Sequence, residues 1–438
     1  MDFKYTEIMD FMKHEIGKGT YQNKLPSIRG LAIRFACSNS TVIKAYSELE
    51  KTGLIYASPK SGYYINPRSR EGIPEYDFYS GIPLSSDLPF DSMEKAFASS
   101  FKENNLGILN YSYSSGYEKL REHLAAEFAM GIDESRIFIL SGTQNFINLM
   151  IAISTREKEE ILVENPTYNL LVGALDAYGK KIQSINRDLT GLDLDEMEKK
   201  IKKGDFKYFY TMTRDHNPLG TSLNAATRQK LLQMAETYDF YIIEDDYLHE
   251  LSEGTPLFYD NPNRVIYVRS FSKTISPSLR LCSMTVPEEL KEVIGKTNSF
   301  MNTGASLIAQ DVLVRYLSSA EYVQNTAVLK ATMTEKCTRL RELLTENCPY
   351  PFFVPQSGMF AYIQLPENFR TLDLLDSMDQ KGYRFRSDVE FSITREIKGL
   401  RISLSRVDKD SIAQPVRELL SEIKAMTLAK AEAKDIYL

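Results

Sequence analysis

Apolar residues recur at helical spacing near the start of the chain, at Ile8, Met9, Phe11, Met12 and Ile16, and predict a first helix over residues 5–17. Gly17, Gly19 and Tyr21-Gln22-Asn23 then read as a loop. Pro26-Ser27 opens a second helix with Leu31, Ala32 and Phe35 inward. After a break at residues 36–39, a third helix runs from Ser40 to Thr52 with Val42, Ala45, Tyr46 and Leu49 inward. Gly53 stands where a helix C-cap belongs. Ser40, Thr41, Ile43 and Lys44 are left on the outer side of that helix's first turns. Residues 54–66 alternate about Pro59-Lys60-Ser61-Gly62, the pattern of a β-hairpin with a basic tip. Three helices and a hairpin predict a winged helix-turn-helix, whose third helix would lie in a DNA major groove with the hairpin on the backbone or minor groove. A small helical protein-interaction module has the same pattern.

Residues 66–74 are polar, with Pro and Gly and no periodicity, and read as a tether. Roughly ten residues span at most about 35 Å. From Tyr76 onward short apolar runs alternate with amphipathic segments. Seven strands are predicted: Ile137–Leu140, Ile161–Glu164, Lys181–Ile185, Tyr208–Met212, Tyr241–Glu244, Ile266–Val268 and Leu279–Met284. Strands separated by helices imply an α/β fold with a mostly parallel, doubly wound sheet. Ligands of such sheets bind beyond the C-terminal strand ends.

Composition adds a boundary. The 438 residues carry a net charge of −6, but residues 1–70 hold eleven Lys/Arg against six Asp/Glu, a net of +5, which leaves −11 for the rest. A basic head on an acidic body suits a nucleic-acid-binding module joined to something else. No run approaches the length of a membrane span. The amphipathic N-terminus is not a signal peptide. Cys37, Cys282, Cys337 and Cys348 lack metal-ligand spacing and read as reduced thiols of a cytoplasmic protein. The four histidines include no i,i+4 pair, which argues against zinc.

Candidate chemistry collects at the predicted strand ends. The apolar run 265–268 breaks into a Ser-rich turn that presents Lys273, and Arg280 follows seven residues later. A lysine among small hydroxyl residues is placed to form a Schiff base once desolvation and nearby cations lower its pKa. Arg and Ser groups suit a phosphate. Lys273 is thus a candidate anchor for pyridoxal 5′-phosphate, although an exposed loop lysine would look the same in isolation. Ser141-Gly142-Thr143-Gln144 opens a helix after the first strand and can cradle a phosphate or simply cap the helix. Tyr168 follows the second strand, as a ring over the crevice or as core. Asn217 follows the fourth strand. Asp245 and Asp246 end the fifth, as acids for a ligand or as caps. Together these supply what the cofactor demands: phosphate donors, an acid for the pyridinium nitrogen, donors for the O3′ oxygen and an amine.

Two resemblances attach to these residues. The stretch KLPSIRGLAIRFACSNSTVIKAYSELEKTGLIYASPKSGYYI resembles the DNA-binding domain of GntR-type bacterial regulators. By that resemblance Arg29 grips phosphate or base, Ser38, Asn39, Ser40, Thr41 and Lys44 line the groove, and Lys60, Ser61 and Gly62 form the wing tip. The family often has Arg where Asn39 stands, so base readout there should shift toward adenine. The motifs SGTQ, ENPTY, HNPLG, EDDY, SFSKTISPSLR and GLRIS resemble fold-type-I, class I aminotransferases across residues 80–430. That implies Lys273 as the cofactor lysine, Asp245 at the pyridine nitrogen, and Asn217 and Tyr247 at O3′. It implies Tyr168 stacked on the ring, with Ser141, Gly142, Thr143, Ser270 and Arg280 on the phosphate. Arg401 would bind the carboxylate of an incoming amino compound. Tyr111 would reach the phosphate of a neighbouring subunit, which implies a homodimer. Ser278 and Cys282 stand where glycines are usual, and EDDY lacks a proline usual in the enzymes, which prefers Asp245 over Asp246 without settling the choice.

A GntR-type head on an aminotransferase-like body is similar to the MocR/GabR subfamily of transcription regulators. The implied layout is a DNA-binding head over 1–67, a tether over 68–79, a PLP-binding large domain over 80–315 and a smaller α+β C-terminal subdomain over 316–438. The implied function is regulation of transcription at a double-stranded DNA operator by an amino compound or a B6 vitamer. The alternatives are a working aminotransferase with an accessory head, and a DNA-binding protein whose body only dimerises. The subfamily member that senses γ-aminobutyrate has an arginine two positions after the stacking tyrosine. Leu170 stands there here and argues against that effector.

Overall fold

The computed structural model describes residues 4–17, 20–21, 24–51, 54–58, 62–65, 76–102, 106–157, 160–302, 304–394 and 398–435. They form two compact units, residues 1–75 and 76–438.

In the first unit, helices α1 (Lys4–Gly17), α2 (Ile28–Arg34) and α3 (Asn39–Lys51) precede strands β1 (Ile55–Ser58) and β2 (Gly62–Ile65). Ser27 caps α2, its side chain accepting from the Gly30 N–H at 3.1 Å. The predicted stripes close one core: Ile8, Met12, Leu31, Val42, Ala45, Tyr46, Leu49, Ile55 and Ile65 are buried together. Strands β1 and β2 pair antiparallel, with Ile55 opposite Ile65. The Tyr46 hydroxyl donates to the Pro26 carbonyl at 2.7 Å and ties the third helix to the entrance of the second. The predicted cap at Gly53 and the tether at 66–74 lie outside the described residues.

The second unit starts in register with its own far end. Strand β3 (Tyr76–Asp77), within the stretch read as tether, pairs parallel to β14 (Tyr383–Arg384). Helices α4 (Phe90–Lys102) and α5 (Glu118–Ala126) follow. Then come β4 (Ile137–Leu140), α6 (Thr143–Glu157), β5 (Glu160–Asn165), α7 (Asn169–Ala177), β6 (Lys181–Asp188), β7 (Gly191–Leu192), α8 (Leu194–Ile201), β8 (Phe206–Thr211), α9 (Ala225–Thr237), β9 (Tyr241–Asp246), β10 (Val265–Ser270) and β11 (Cys282–Thr285). The sheet order is β4-β11-β10-β9-β8-β5-β6-β7. Strand β11 is antiparallel to both β10 and β4, and β7 is antiparallel to β6, while the other neighbours are parallel. The seven predicted strands are present; the eighth, β7, is a two-residue edge piece too short to carry a periodicity. Successive residues of one strand enter opposite cores. Ile243 and Tyr241 pack with α6 and α7, whereas Ile242 packs with α5, α9 and α11 (Leu307–Leu317). Both faces are covered, so the strands read as unbroken apolar runs.

One strand boundary departs from expectation. Leu279 and Arg280 do not belong to β11. Pro277–Leu279 is a 3-10 turn, and Arg280 takes the left-handed conformation (φ 52°, ψ 48°) before the strand begins at Cys282. Pro277 sets the turn, and the left-handed residue swings the arginine toward the end of β4.

After α10 (Lys291–Met301) and α11, the long helix α12 (Ala320–Asn347) leads into a four-stranded antiparallel sheet, order β12-β13-β16-β15. Its strands are β12 (Phe352–Phe353), β13 (Phe360–Gln364), β15 (Arg386–Ser387) and β16 (Gly399–Ser403), accompanied by α13 (Thr371–Gln380) and α14 (Ala413–Asp435). Among the described residues no helix is long and apolar enough to cross a membrane, and no cluster of His, Cys, Asp and Glu has metal-site geometry.

Candidate functional site

The C-terminal ends of the parallel strands, with the start of the reversed β11, bring most of the predicted residues to one edge. Ser270 faces Cys282 across β10–β11, and Cys282 faces Leu140 across β11–β4. That register sets Arg280 beside the turn at Ser141-Gly142-Thr143. Gly142 has φ +84°, and a Cβ there would lie 3.0 Å from Arg280 Nη2. Glycine is therefore required twice, for its conformation and for the close approach of the guanidinium. The first amides of α6 and Arg280 together form an anion cradle. Ser141 is exposed, Thr143 half-buried and Ser270 buried.

Asp245 lies at the end of β9, fully enclosed. Burial pushes its carboxyl up to about 7, against the lowering pull of the Tyr210 hydroxyl, which donates to Oδ2 at 2.5 Å. Its other oxygen, Oδ1, is buried with no partner among the described residues. Lys273 is half-buried past β10. Burial, then the charges of Arg401 and Arg280, bring its ammonium down to about 8. Tyr168 is the residue before α7 and packs against the large core, its phenol raised to about 12 first by burial and then by the charge of Asp245.

The second sheet supplies the remaining wall. Arg401 on β16 is 1% exposed and donates from Nη1 to Asn217 Oδ1 at 2.9 Å. With that oxygen engaged, the other end of the Asn217 amide is a donor. Arg401 Nη2 donates to the Tyr79 carbonyl, and its Nε–H is buried without an acceptor among the described residues. Its guanidinium stacks 4.2 Å from the Phe360 ring centroid and 4.8 Å from that of Phe391. No carboxylate forms an ion pair with it among the described residues, and burial brings its pKa down to about 9. Tyr247, predicted at O3′, lies beside Phe360 with ring centroids 6.2 Å apart, and its hydroxyl donates to the Asp215 carbonyl at 2.6 Å. Tyr111 stands apart, 91% exposed.

The partners of several supporting groups gave no signal in the sequence. Buried Glu164 accepts from Arg187 at 2.6 Å, from Thr211 at 2.9 Å and from the Met212 amide at 3.1 Å. His216 Nε2 lies 3.2 Å from it. This network binds the loop after β5, which carries Tyr168, to the loop after β8, which carries Asn217. Asp246 is bonded by Arg214, by the Tyr267 hydroxyl at 2.6 Å and by His249 at 3.0 Å. Arg386 and Tyr79, which flank Arg401, were also missed. The short apolar-basic alternation at Tyr383-Arg384-Phe385-Arg386 is the trace that Arg386 leaves in the sequence.

In the first unit, the predicted groove residues sit at the start of α3. Ser38 caps that helix, accepting from the Thr41 amide at 3.2 Å, and its hydroxyl lies 2.7 Å from Ser40 Oγ and 2.8 Å from Thr41 Oγ1. Asn39, Ser40 and Lys44 are exposed, as is Arg29 on α2. Lys44 Nζ lies 4.2 Å from the Tyr5 ring centroid. Gly62 opens β2 at φ +109°. Lys60 and Ser61 lie outside the described residues.

Known proteins resemble both units. The family described as aminotransferase class I and II matches residues 78–419. The HTH-type transcriptional regulator YcxD of Bacillus subtilis (strain 168) is 32% identical over 96% of this chain and 100% of its own length. The chain belongs to the GntR/MocR-type transcription regulators with a class I and II aminotransferase domain. Another relative of this regulator is the HTH-type transcriptional regulator YdcR of Escherichia coli (strain K12), 26% identical over 83% of this chain and 86% of its own. The fold is shared with LysN, an α-aminoadipate aminotransferase of Thermus thermophilus solved with N-(5′-phosphopyridoxyl)-L-leucine, at TM-score 0.74 and 24% identity, covering 88% of this chain and 99% of that one.

The cofactor of this regulator's aminotransferase domain is pyridoxal 5′-phosphate, and the residues present fit it on three counts. The Gly142–Arg280 approach leaves an anion cradle at the mouth of α6. The unpartnered Asp245 Oδ1 suits a protonated ring nitrogen. Lys273, lowered to about 8, keeps an appreciable unprotonated fraction near neutral pH.

Proposed function

We propose that this regulator binds operator DNA through its first unit and senses an amino compound, or a B6 vitamer, at the pyridoxal phosphate site of its second. The cofactor supplies an aldehyde that reacts with primary amines. The chain's own groups do the rest. Lys273 offers the resident amine, Asp245 a carboxyl poised to share a proton with the ring nitrogen, and the Gly142–Arg280 cradle holds the phosphate. Arg401, lacking a carboxylate of its own, receives that of the effector. Tyr111, exposed to 91%, serves the phosphate of a second subunit in a homodimer.

The observation that carries the regulatory reading is the bond from Arg401 to the Tyr79 carbonyl. Residues 76–82 are the first described stretch after the tether to the head. They are held by Arg401 and by Ser403 and Ser405, both of which donate to the Ser80 carbonyl. An effector carboxylate at Arg401 competes with Tyr79 for the same guanidinium. Ligand binding is thus converted into a change in how residues 76–82 are anchored. Such a ligand acts through its differential affinity for the two states of that segment.

The test is DNA binding by the full-length holoprotein, on fragments selected from a random pool, with and without candidate amino acids. The expected result is at least a tenfold change in affinity, about 1.4 kcal/mol of coupling, which is absent in Lys273→Ala although that variant still binds DNA. Repeated turnover of amino acid and keto acid with DNA affinity unchanged would instead make the chain a working aminotransferase, a reading supported by its full complement of cofactor-site groups.

A further inference from the structure

Arg401 is not alone on its sheet. Arg386, on the neighbouring strand β15, is its direct cross-strand partner. Its side chain is 13% exposed. The Arg386 guanidinium lies 4.5 Å from the Phe391 centroid, and that of Arg401 lies 4.8 Å from the same ring, so the two charges are at most about 9 Å apart. Both also meet Tyr79. Arg386 stacks over its ring at 4.5 Å, and Arg401 bonds its carbonyl. Each arginine has a buried Nε–H without an acceptor among the described residues, as do the structural arginines Arg187, Arg214 and Arg269.

Like charges on adjacent strands repel, and their enclosure makes the repulsion costly. Arg401 has no carboxylate among the described residues. Arg386 has one, Glu390, whose side chain is 43% exposed and which also accepts from the Tyr79 hydroxyl at 3.0 Å. The next acid along, Asp388, is engaged by the Tyr362 hydroxyl at 2.7 Å and the Lys398 amide at 2.9 Å. Among the described residues, two guanidinium groups therefore have one solvent-accessible counter-ion between them, Glu390. An arginine held this way is a geometric receptor for carboxylate.

We propose that Arg386 is a second anion anchor, and that the effector is an amino dicarboxylate whose α-carboxylate meets Arg401 and whose distal carboxylate replaces Glu390 on Arg386. This rests on the reading of the body as an amino-compound sensor. Glu390 acts as a surrogate for the distal carboxylate, keeping Arg386 paired until the ligand arrives. Exchange of one carboxylate for another leaves the net charge of the pair unchanged, so the anchor discriminates by charge and reach. A neutral side chain of the same length would have to leave the Arg386–Glu390 pair in place or bury an unpaired arginine.

The experiment titrates the full-length holoprotein with L-glutamate, L-2-aminoadipate and the neutral isostere L-glutamine, read by calorimetry and by the cofactor absorbance. One of the two dicarboxylates should bind at least tenfold tighter than glutamine. Arg386→Gln should abolish that preference by weakening the dicarboxylate at least tenfold more than it weakens glutamine, and Glu390→Gln should tighten the dicarboxylate several-fold by removing its competitor. Should Arg386→Gln fail to fold, the isostere comparison on the wild type and Glu390→Gln decides. Equal binding of glutamine and both dicarboxylates, or an equal loss of both ligand types in Arg386→Gln, overturns the anchor while leaving amine sensing intact. Cofactor-loaded protein that binds none of the three overturns the anchor, and the sensing reading falls with it only if other amino compounds and B6 vitamers also leave DNA affinity unchanged.

Discussion

Asp245 and Asp246 are neighbours at the end of one strand, both enclosed, yet the groups around them are organised in opposite ways. Around Asp246 every charge is answered. Burial alone would raise its pKa, but His249 and Arg214 bring it down to about 2, and Tyr267 adds a third bond. The same holds for Glu164 with Arg187 and for Arg269 with Glu250 at 2.8 Å. Around Asp245 the set of partners is left open. One oxygen is unbonded among the described residues, no cation there pairs with it, and burial holds its carboxyl near 7. Arg401 and Lys273 share this openness, since neither forms an ion pair among the described residues. The lesson is that enclosure alone does not mark a ligand site. Networks in which each buried charge has an opposite partner are scaffolding that fixes the loops, whereas enclosed ionisable groups with no opposite charge paired to them mark where a ligand completes the structure.

Substitution separates the two kinds. Asp246→Asn should strip Arg214 of its counter-ion and destabilise the protein by about 3–5 kcal/mol, visible as a large fall in the denaturant midpoint; a midpoint within error of the wild type would erase the distinction. Asp245→Asn should leave the cofactor-free fold as stable or more so, yet weaken cofactor binding by at least tenfold, measured by equilibrium dialysis. Equal cofactor affinity in that variant would remove Asp245 from the site.

A smaller effect is set by pH. The Asp245 carboxyl is raised in the folded state to about 7, from an ordinary value of 3.8. The stability it contributes is therefore complete below 3.8 and is lost as pH rises through about 7. The advantage of Asp245→Asn over the cofactor-free wild type should grow across that window, by up to about 1.4 kcal/mol per pH unit, and level off above it. A pH-independent difference would mean the carboxyl titrates normally. The smallest effect belongs to the head, whose candidate groove residues Asn39, Ser40 and Lys44 are exposed. Lys44→Ala should weaken DNA binding and lower the salt slope by about 1, with no change in cofactor spectrum; an unaltered slope would take Lys44 off the DNA backbone.

Much of the open half of the candidate site was legible in the sequence because most of its groups on the large sheet lie at or just past a strand end. Lys273, Asp245, Asn217, Tyr168 and the Ser141–Thr143 turn all obey the rule that α/β sheets bind ligands past their C-terminal edges. The helices of the head were legible from a single face of apolar residues. The closed networks were not. Arg187 and Glu164 meet across two strands, 23 residues apart in sequence, and no local pattern couples them. Arg386 escaped for a different reason: its strand has two residues, and its meaning comes only from the register that sets it opposite Arg401. Arg280 shows the intermediate case. Its presence is legible, but the left-handed turn that aims it at Gly142 reads as strand, because Leu279, Leu281 and Cys282 continue an apolar run.

The central claim is that the open groups form a pyridoxal phosphate site built on Lys273. Borohydride reduction of the reconstituted full-length protein, followed by mass mapping of its peptides, tests this directly. The account predicts one pyridoxyl-modified residue, Lys273, with no label in Lys273→Ala. A label on another lysine, or undiminished labelling of Lys273→Ala, would contradict it.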